Sequence, residues 1–488
     1  MKRKLYIIGF ILIILYLILL IPESDNTTEI ISGVKIIAKP FTWNQDAYWD
    51  SLEAQYLEAR AAGCQNLIPV KDSLFKRADS LVTLIGKKSF QPVAKVFSDL
   101  ETTIFILAPI VGACPDWLSQ YIRLASKLRS VVKRQSENWD MNSFDARHTL
   151  YRLLYGSRWA TEEIILQAPD SFAIDPFIPG IDEPSITSSA EILGLKIHSG
   201  DILVSRGGAP TSALIARGND FAGNFSHIAL VYVDPSTNAI KIIESHIERG
   251  ITTSSVDDYL KDTKLRIMVL RLKSDLQQMI NDPMLPHKAA LSMLHSASSR
   301  HIPYDFEMNA NDSSKLFCSE VVSFAFNKFS VRLWMGMSHI SSPGLRNWLT
   351  CFGVRYFETQ EPSDLEYDPQ LNVVAEWRDL ETLRQDHYDN AVTEVMLEDA
   401  ERGMKLEYDW YLLPVARVLK IYSYILNLFG MIGPVPEGMN ATAALRNEWY
   451  SKMHSTRKEK LEQAATDFKK INGYEPPYWK LVKMMRQE

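Results

Sequence analysis

The chain of 488 residues is 46% apolar and 23% charged, with a formal net charge of −6. Its length accommodates two or three domains with sizeable cores, and a composition near the soluble average excludes a multi-span membrane protein. The mildly acidic balance, with no basic run interleaved with aromatics, excludes nucleic acid as a partner.

At the amino terminus, Lys2-Arg3-Lys4 precedes an uncharged run of 17 residues from Leu5 to Ile21, which ends at Pro22 and is followed by Glu23 and Asp25. That length sits at the short limit for a membrane-spanning helix and the long limit for a signal-peptide core. No small-x-small cleavage pattern follows closely and no cysteine stands there for lipid attachment. Residues 1–22 therefore read as an uncleaved signal anchor. The basic end stays in the cytoplasm and the rest of a single-pass protein lies outside it, on the periplasmic side if the source is bacterial.

Residues 40–168 read as a helical domain, with apolar residues at three and four spacing in stretches such as 50–60 and 118–128. Cys64 and Cys114 both fall there and could pair in an oxidising compartment, or could be two buried thiols. A segment rich in Pro, Asp and Gly, from Pro169 to Pro184, reads as a linker.

The next region, residues 185–380, alternates like a small antiparallel sheet, with strands at 201–204, 228–233, 240–246 and 265–272. His227 opens one strand, and Glu244 and His246 share a face of the next. A turn-rich connection, Asp234-Pro235-Ser236-Thr237-Asn238, would set the two antiparallel and bring His227 within reach of Glu244, with His246 as a rival for the same role. The segment from Thr211 to Gly218, with Ser212 and Arg217, could cover such a site.

Further on, Cys318 opens an amphipathic helical pattern in Phe317-Cys318-Ser319-Glu320-Val321-Val322. A helix N-terminus favours a thiolate, so a low thiol pKa is expected there. Thiolate attack on an acyl carbon needs a base, and the base needs a third polar group to fix its ring. Singly, a lone cysteine is more often an inert buried residue and a strand histidine structural. Together, Cys318, His227 and Glu244 are the parts of a cysteine hydrolase. Tyr304-Asp305-Phe306, just before the helix, either lines the cleft or only packs a loop. Cys351 is expected in a strand or short loop.

From Gly200-Asp201-Ile202-Leu203-Val204 through Ser226-His227, Ile243-Glu244 and Tyr304-Asp305 to Phe317-Cys318-Ser319-Glu320, the chain resembles the circularly permuted papain-like hydrolases of the YiiX/YaeF type, relatives of the NlpC-type cell-wall peptidases and of lecithin retinol acyltransferase. In the permuted group the order is His, polar residue, Cys, as here. The resemblance implies Cys318 as nucleophile, His227 as base and Glu244 as third member, with Glu320 bracing the site. Pro362-Ser363-Asp364-Leu365 and Val373-Val374-Ala375-Glu376-Trp377 look like the exit segment after the core. The fold it implies is α+β: a permuted papain-like core of small antiparallel sheet and nucleophile helix, between helical amino- and carboxy-terminal regions.

Residues 381–488 are helical again. The apolar stretch Trp410–Val435 is interrupted by Arg417 and Lys420 and broken by Pro414, Gly430, Gly433, Pro434 and Pro436, so it reads as a packed or membrane-surface helix rather than a second span. Without Cys-x-x-Cys, His-Glu-x-x-His or a phosphate-binding loop pattern, no metal and no cofactor is expected.

The expected activity is a membrane-anchored amidase or peptidase acting on a peptide substrate such as cell-wall peptides. The alternatives are a lipid or acyl-ester hydrolase or acyltransferase with the same triad, and a non-catalytic tethered scaffold or binding protein. Asn26, Asn224, Asn311 and Asn440 head Asn-x-Ser/Thr sites, and a glycan at Asn224 would obstruct the cleft.

Overall fold

The computed structural model describes residues 2–22, 47–169, 172 and 174–487. The Asn26 site and the expected start of the helical domain at 40–46 lie outside the described residues. Helix α1 (Lys2–Leu19) is followed by α2 (Ala47–Ala62), α3 (Cys64–Lys87), α4 (Lys95–Ala113), α5 (Leu118–Ser136) and α6 (Phe144–Gln167). The three-and-four spacing becomes a buried stripe: α5 encloses Leu118, Tyr121, Leu124, Leu128 and Val132. Helix α6 starts where Ser143 accepts the Ala146 N–H at 3.2 Å. Cys64, opening α3, and Cys114, following α4, are joined by a disulfide with Cα atoms 5.7 Å apart. By length and composition α4 could cross a membrane, but 61% of its apolar window is buried inside the protein, as befits a core helix.

The middle of the chain carries β1 (Phe177–Pro179), β2 (Ser189–Ile192), β3 (Leu195–His198), β4 (Ile202–Gly207), α7 (Pro210–Arg217), β5 (His227–Val233), β6 (Ile240–His246), β7 (Gly250–Ser254), α8 (Val256–Lys261), β8 (Lys264–Leu272), α9 (Gln277–Asn281), α10 (Leu285–Ser299), α11 (Cys318–Asn327), β9 (Ser338–His339), α12 (Pro343–Phe352), β10 (Glu358–Thr359) and β11 (Leu371–Trp377). A seven-stranded sheet runs β1-β11-β8-β4-β5-β6-β7, antiparallel throughout. The four strands read from sequence are consecutive in it. The expected linker adds β1 and the expected exit segment adds β11. Period-two alternation sorts the sheet faces: Ile228 and Leu230 join Val321 and Val322 of α11 in one core, whereas Ala229, Val231 and Val233 join Ile197 and Tyr259 in another.

Two readings are corrected. Arg217 of α7 is not part of a cover over the site; it turns into the helical layer, donating to Tyr155 Oη at 2.5 Å and pairing with Glu394. Cys351 belongs to helix α12 rather than to a strand or loop.

Four helices complete the chain: α13 (Leu380–Glu401), α14 (Leu413–Leu428), α15 (Ala441–Asn472) and α16 (Tyr478–Met485). Helices from both ends share one apolar core. Trp49 of α2 packs on Trp479 of α16 at 5.5 Å, and Trp159 of α6 on Tyr478 at 4.5 Å.

This helical layer is fastened to the sheet by buried ion pairs. Glu162 of α6 accepts from Arg266 of β8 at 2.5 Å and from Arg378 at 2.8 Å. Arg266 also pairs with Asp386 of α13, which lies 3.2 Å from Arg206 of β4. Arg158 of α6 bridges Glu366 and Glu376 of the exit segment.

Candidate active site

Three site residues lie on neighbouring strands. The β5–β6 register sets Ala229 opposite Glu244, so Glu244 lies diagonally across from His227. The hairpin that fixes this register is built by Asp234, whose carboxylate accepts the N–H groups of Ser236 and Thr237 at 2.8 and 3.1 Å, and by Asn238 in the left-handed region at φ 57°.

Both Glu244 oxygens are engaged. Oε2 is 2.8 Å from His227 Nε2. Oε1 accepts the Ser254 hydroxyl at 2.8 Å and lies 3.1 Å from His246 Nε2, an ion-pair contact without a well-directed hydrogen bond. Burial alone would raise the Glu244 carboxyl, but the two histidines reverse this and hold it well below the usual carboxylate range. For His227 burial prevails over Glu244 and lowers the ring below its ordinary value. For His246 burial is outweighed by Glu244 and Glu248, and the ring is raised. His227 is thus a neutral ring held by a fixed anion, and His246 contacts Glu244 rather than replacing it.

Cys318 is the first residue of α11. Two residues on, Glu320 accepts the Phe317 N–H at 3.0 Å and braces the entry to the helix. Burial pushes the Glu320 carboxyl up to about 9, against that N–H, with Asp305 nearby pushing the same way. The segment before Cys318 is stitched to the sheet by the Ser245 hydroxyl, which donates to Leu316 O at 2.7 Å.

The thiol itself departs from the expectation of a low pKa. Cys318 is 5% exposed, and burial pushes its thiol up to about 11 against hydrogen bonding from the Ile228 N–H and from Ser319. Loss of hydration outweighs the first-turn amides here. The thiol makes no hydrogen bond to His227 in this state; it meets β5 at Ile228, one residue on. By two-residue alternation His227 and Glu244 share Ala229's face, away from the core in which α11 packs on Ile228, so ring and thiol stand apart here.

Tyr304 packs on Phe306 at 4.9 Å; burial pushes its hydroxyl up, and neighbouring Cys318 pushes it further. Asp305 is buried and shapes the loop: its carboxylate accepts the Glu307 and Asn309 N–H groups at 3.0 and 2.7 Å.

Several contributors escaped the sequence reading. Glu361 is buried, its carboxyl raised well above the usual range by burial and by Asp364, and it adds to the upward push on the Cys318 thiol. The signal was its position directly before Pro362 of the exit segment. That segment also anchors the approach to His227, since Ser363 Oγ accepts the Phe225 N–H at 2.9 Å and donates to Phe225 O at 3.0 Å. Ser254 lies on β7, a strand not read from sequence. Asn224 is 2% exposed, with neither amide atom partnered, so a glycan there would collide with the core rather than obstruct the cleft. Among the described residues no group of three or more His, Cys, Asp or Glu side chains is placed to hold a metal ion.

A strand histidine held by a strand glutamate, both preceding a cysteine that opens a helix on the same sheet, is the layout of a permuted papain-like thiol hydrolase. Residues 196–375, well under half the chain, match the model of the permuted papain-like amidase enzymes, YaeF/YiiX, C92 family, and the match supports a hydrolase of the cysteine peptidase type. No curated protein matches the chain.

Proposed function

We propose that the protein is a membrane-anchored thiol amidase in which Cys318 attacks the amide carbon, His227 carries the proton and Glu244 positions the histidine. The observation that carries this reading is the 2.8 Å bond between His227 Nε2 and Glu244 Oε2. It fixes the ring with Nε2–H as donor and leaves Nδ1 to take the thiol proton.

As the S–C bond forms, the proton moves from Sγ to Nδ1, so no standing thiolate is needed, and the imidazolium is stabilised by Glu244. The first-turn amide of α11 meets the developing oxyanion. The proton then passes to the departing amine, and water attacks the thioester with the same ring as base. His246 and Ser254 keep Glu244 in place, and Glu320, Tyr304 and Asp305 support the nucleophile's approach segment.

Helix α1 is the anchor, with Lys2-Arg3-Lys4 in the cytoplasm and the catalytic unit outside. The Cys64–Cys114 disulfide supports that side, because such bonds persist in oxidising compartments. The substrate class is a peptide amide, cell-wall stem peptides being the candidate outside a bacterial cytoplasm.

The test is turnover of a peptide-amide panel, with a lipid-ester panel beside it, by the full chain in lipid vesicles. Cys318→Ala and His227→Ala should each lower amide hydrolysis by roughly 10³-fold or more with an unchanged circular-dichroism melt. Full turnover in either variant rejects the mechanism. Ester cleavage far above amide cleavage moves the assignment to the acyl-ester alternative.

A further inference from the structure

The stretch around α14 carries a large apolar surface that the catalytic reading does not use. Val418, Ile421, Ile425 and Leu428 follow one another at helical spacing and are 48% to 68% exposed. The opposite face is narrow: Leu413 and Ala416 pack on Ala441 and Leu445 of α15. Trp410 and Phe429 extend the exposed patch at its two ends.

The two cations that interrupt this stretch in sequence do not interrupt the surface. Arg417 turns to the end of α1, donating to Leu19 O at 3.0 Å and Ile21 O at 2.6 Å. Lys420 turns the other way, to Pro436 O at 2.9 Å and Glu437 O. Tyr16 Oη of α1 donates to Tyr411 O at 3.2 Å. An arginine that satisfies the last carbonyls of an apolar helix is what hydrocarbon surroundings demand, since no water is there to do so.

We infer that α14, with residues 410–432 around it, is a second membrane contact lying in the plane of the bilayer surface beside α1. The occupant is lipid because one surface must cover both α14 and α1, whose Phe10, Ile11 and Leu17 are also exposed. At 16 residues, with one face on α15, α14 is too short and too one-sided to span. It fits instead an interfacial helix that sinks its apolar face to the headgroup boundary, with tyrosines and a tryptophan at that level.

The placement has a bearing on the site. Directly after this surface, Glu437 pairs with His301 at 2.8 Å and its N–H donates to Glu248 O at 3.2 Å. Gly438 fits against the Phe306 ring so closely that a Cβ would come within 2.2 Å of it. Phe306 packs on Tyr304, the neighbour of Cys318, and Glu248 lies 3.8 Å from His246 Nδ1. The bilayer contact thus runs straight on to segments that pack beside Cys318 and His246.

The experiment places the full chain in phosphatidylcholine vesicles carrying a diazirine-labelled phospholipid and maps the adducts by mass. Adducts are expected on α1 and on 410–432, with none at Ile471, an isolated exposed residue of α15 that serves as control. Val418→Asp with Ile425→Asp should cut the 410–432 adducts by about tenfold while α1 labelling persists, because a carboxylate is costly in hydrocarbon. Adducts on α1 alone, with 410–432 unlabelled, overturn the inference. Loss of α1 adducts would count against the anchor, a separate failure.

Discussion

Glu244 sets the protonation of the site from a buried position between two histidines. Its charge raises His227 while burial lowers it, and burial wins. The acid limb of kcat/KM should therefore lie below pH 6.5, the ordinary imidazole value, with activity present above the limb where the ring is neutral. Glu244→Gln removes the upward push, so the limb should move further down as turnover falls by roughly 10²–10⁴-fold. A pH–rate profile on both proteins checks this, and an unmoved limb would remove Glu244 from the positioning role. In the resting protein, alkylation of Cys318 should be slow at neutral pH, since its thiol is pushed up to about 11. The His227–Glu244 pairing was legible because two-residue alternation and one turn determine it. The enclosed thiol was not, because Tyr304 and Glu361, which surround it, come from segments whose approach to Cys318 only the tertiary fold decides.

Among the elements, the sheet was legible where strands were long and alternating, as in β5, β6 and β8. It was not where they were short or marginal: β1 has three residues and draws its stability from pairing with β11. The buried charges beneath the sheet were also hidden, because Arg266 meets Glu162 and Asp386 across more than a hundred residues each way. Removing one member of such a network strands its partners in a dry interior. Arg266→Met should cost about 3–5 kcal/mol in urea denaturation, leaving Glu162 and Asp386 undercompensated. A loss below about 1 kcal/mol would mean the network is solvated and the layers are held by packing alone.

At the scale of the whole molecule, the sequence pointed to helices before and after the catalytic unit but not to their union. An apolar stripe reveals that a face is buried, not which helix covers it. The disulfide lies at the outer edge of that shared body, linking α3 to the end of α4 across 50 residues. Its reduction should lower unfolding stability by about 2–4 kcal/mol while amide turnover at 25 °C persists, read by thermal melts with and without reductant. Loss of turnover on reduction would mean that the bond also shapes the cleft.

The contact of Trp49 with Trp479 gives assembly a direction in time. A chain made from its amino terminus delivers α2 long before α16, and α2 must wait with an indole uncovered until Trp479 follows. The hydrolase segment between them is therefore finished late, and synthesis interrupted before Trp479 releases an unfinished shell around Cys318.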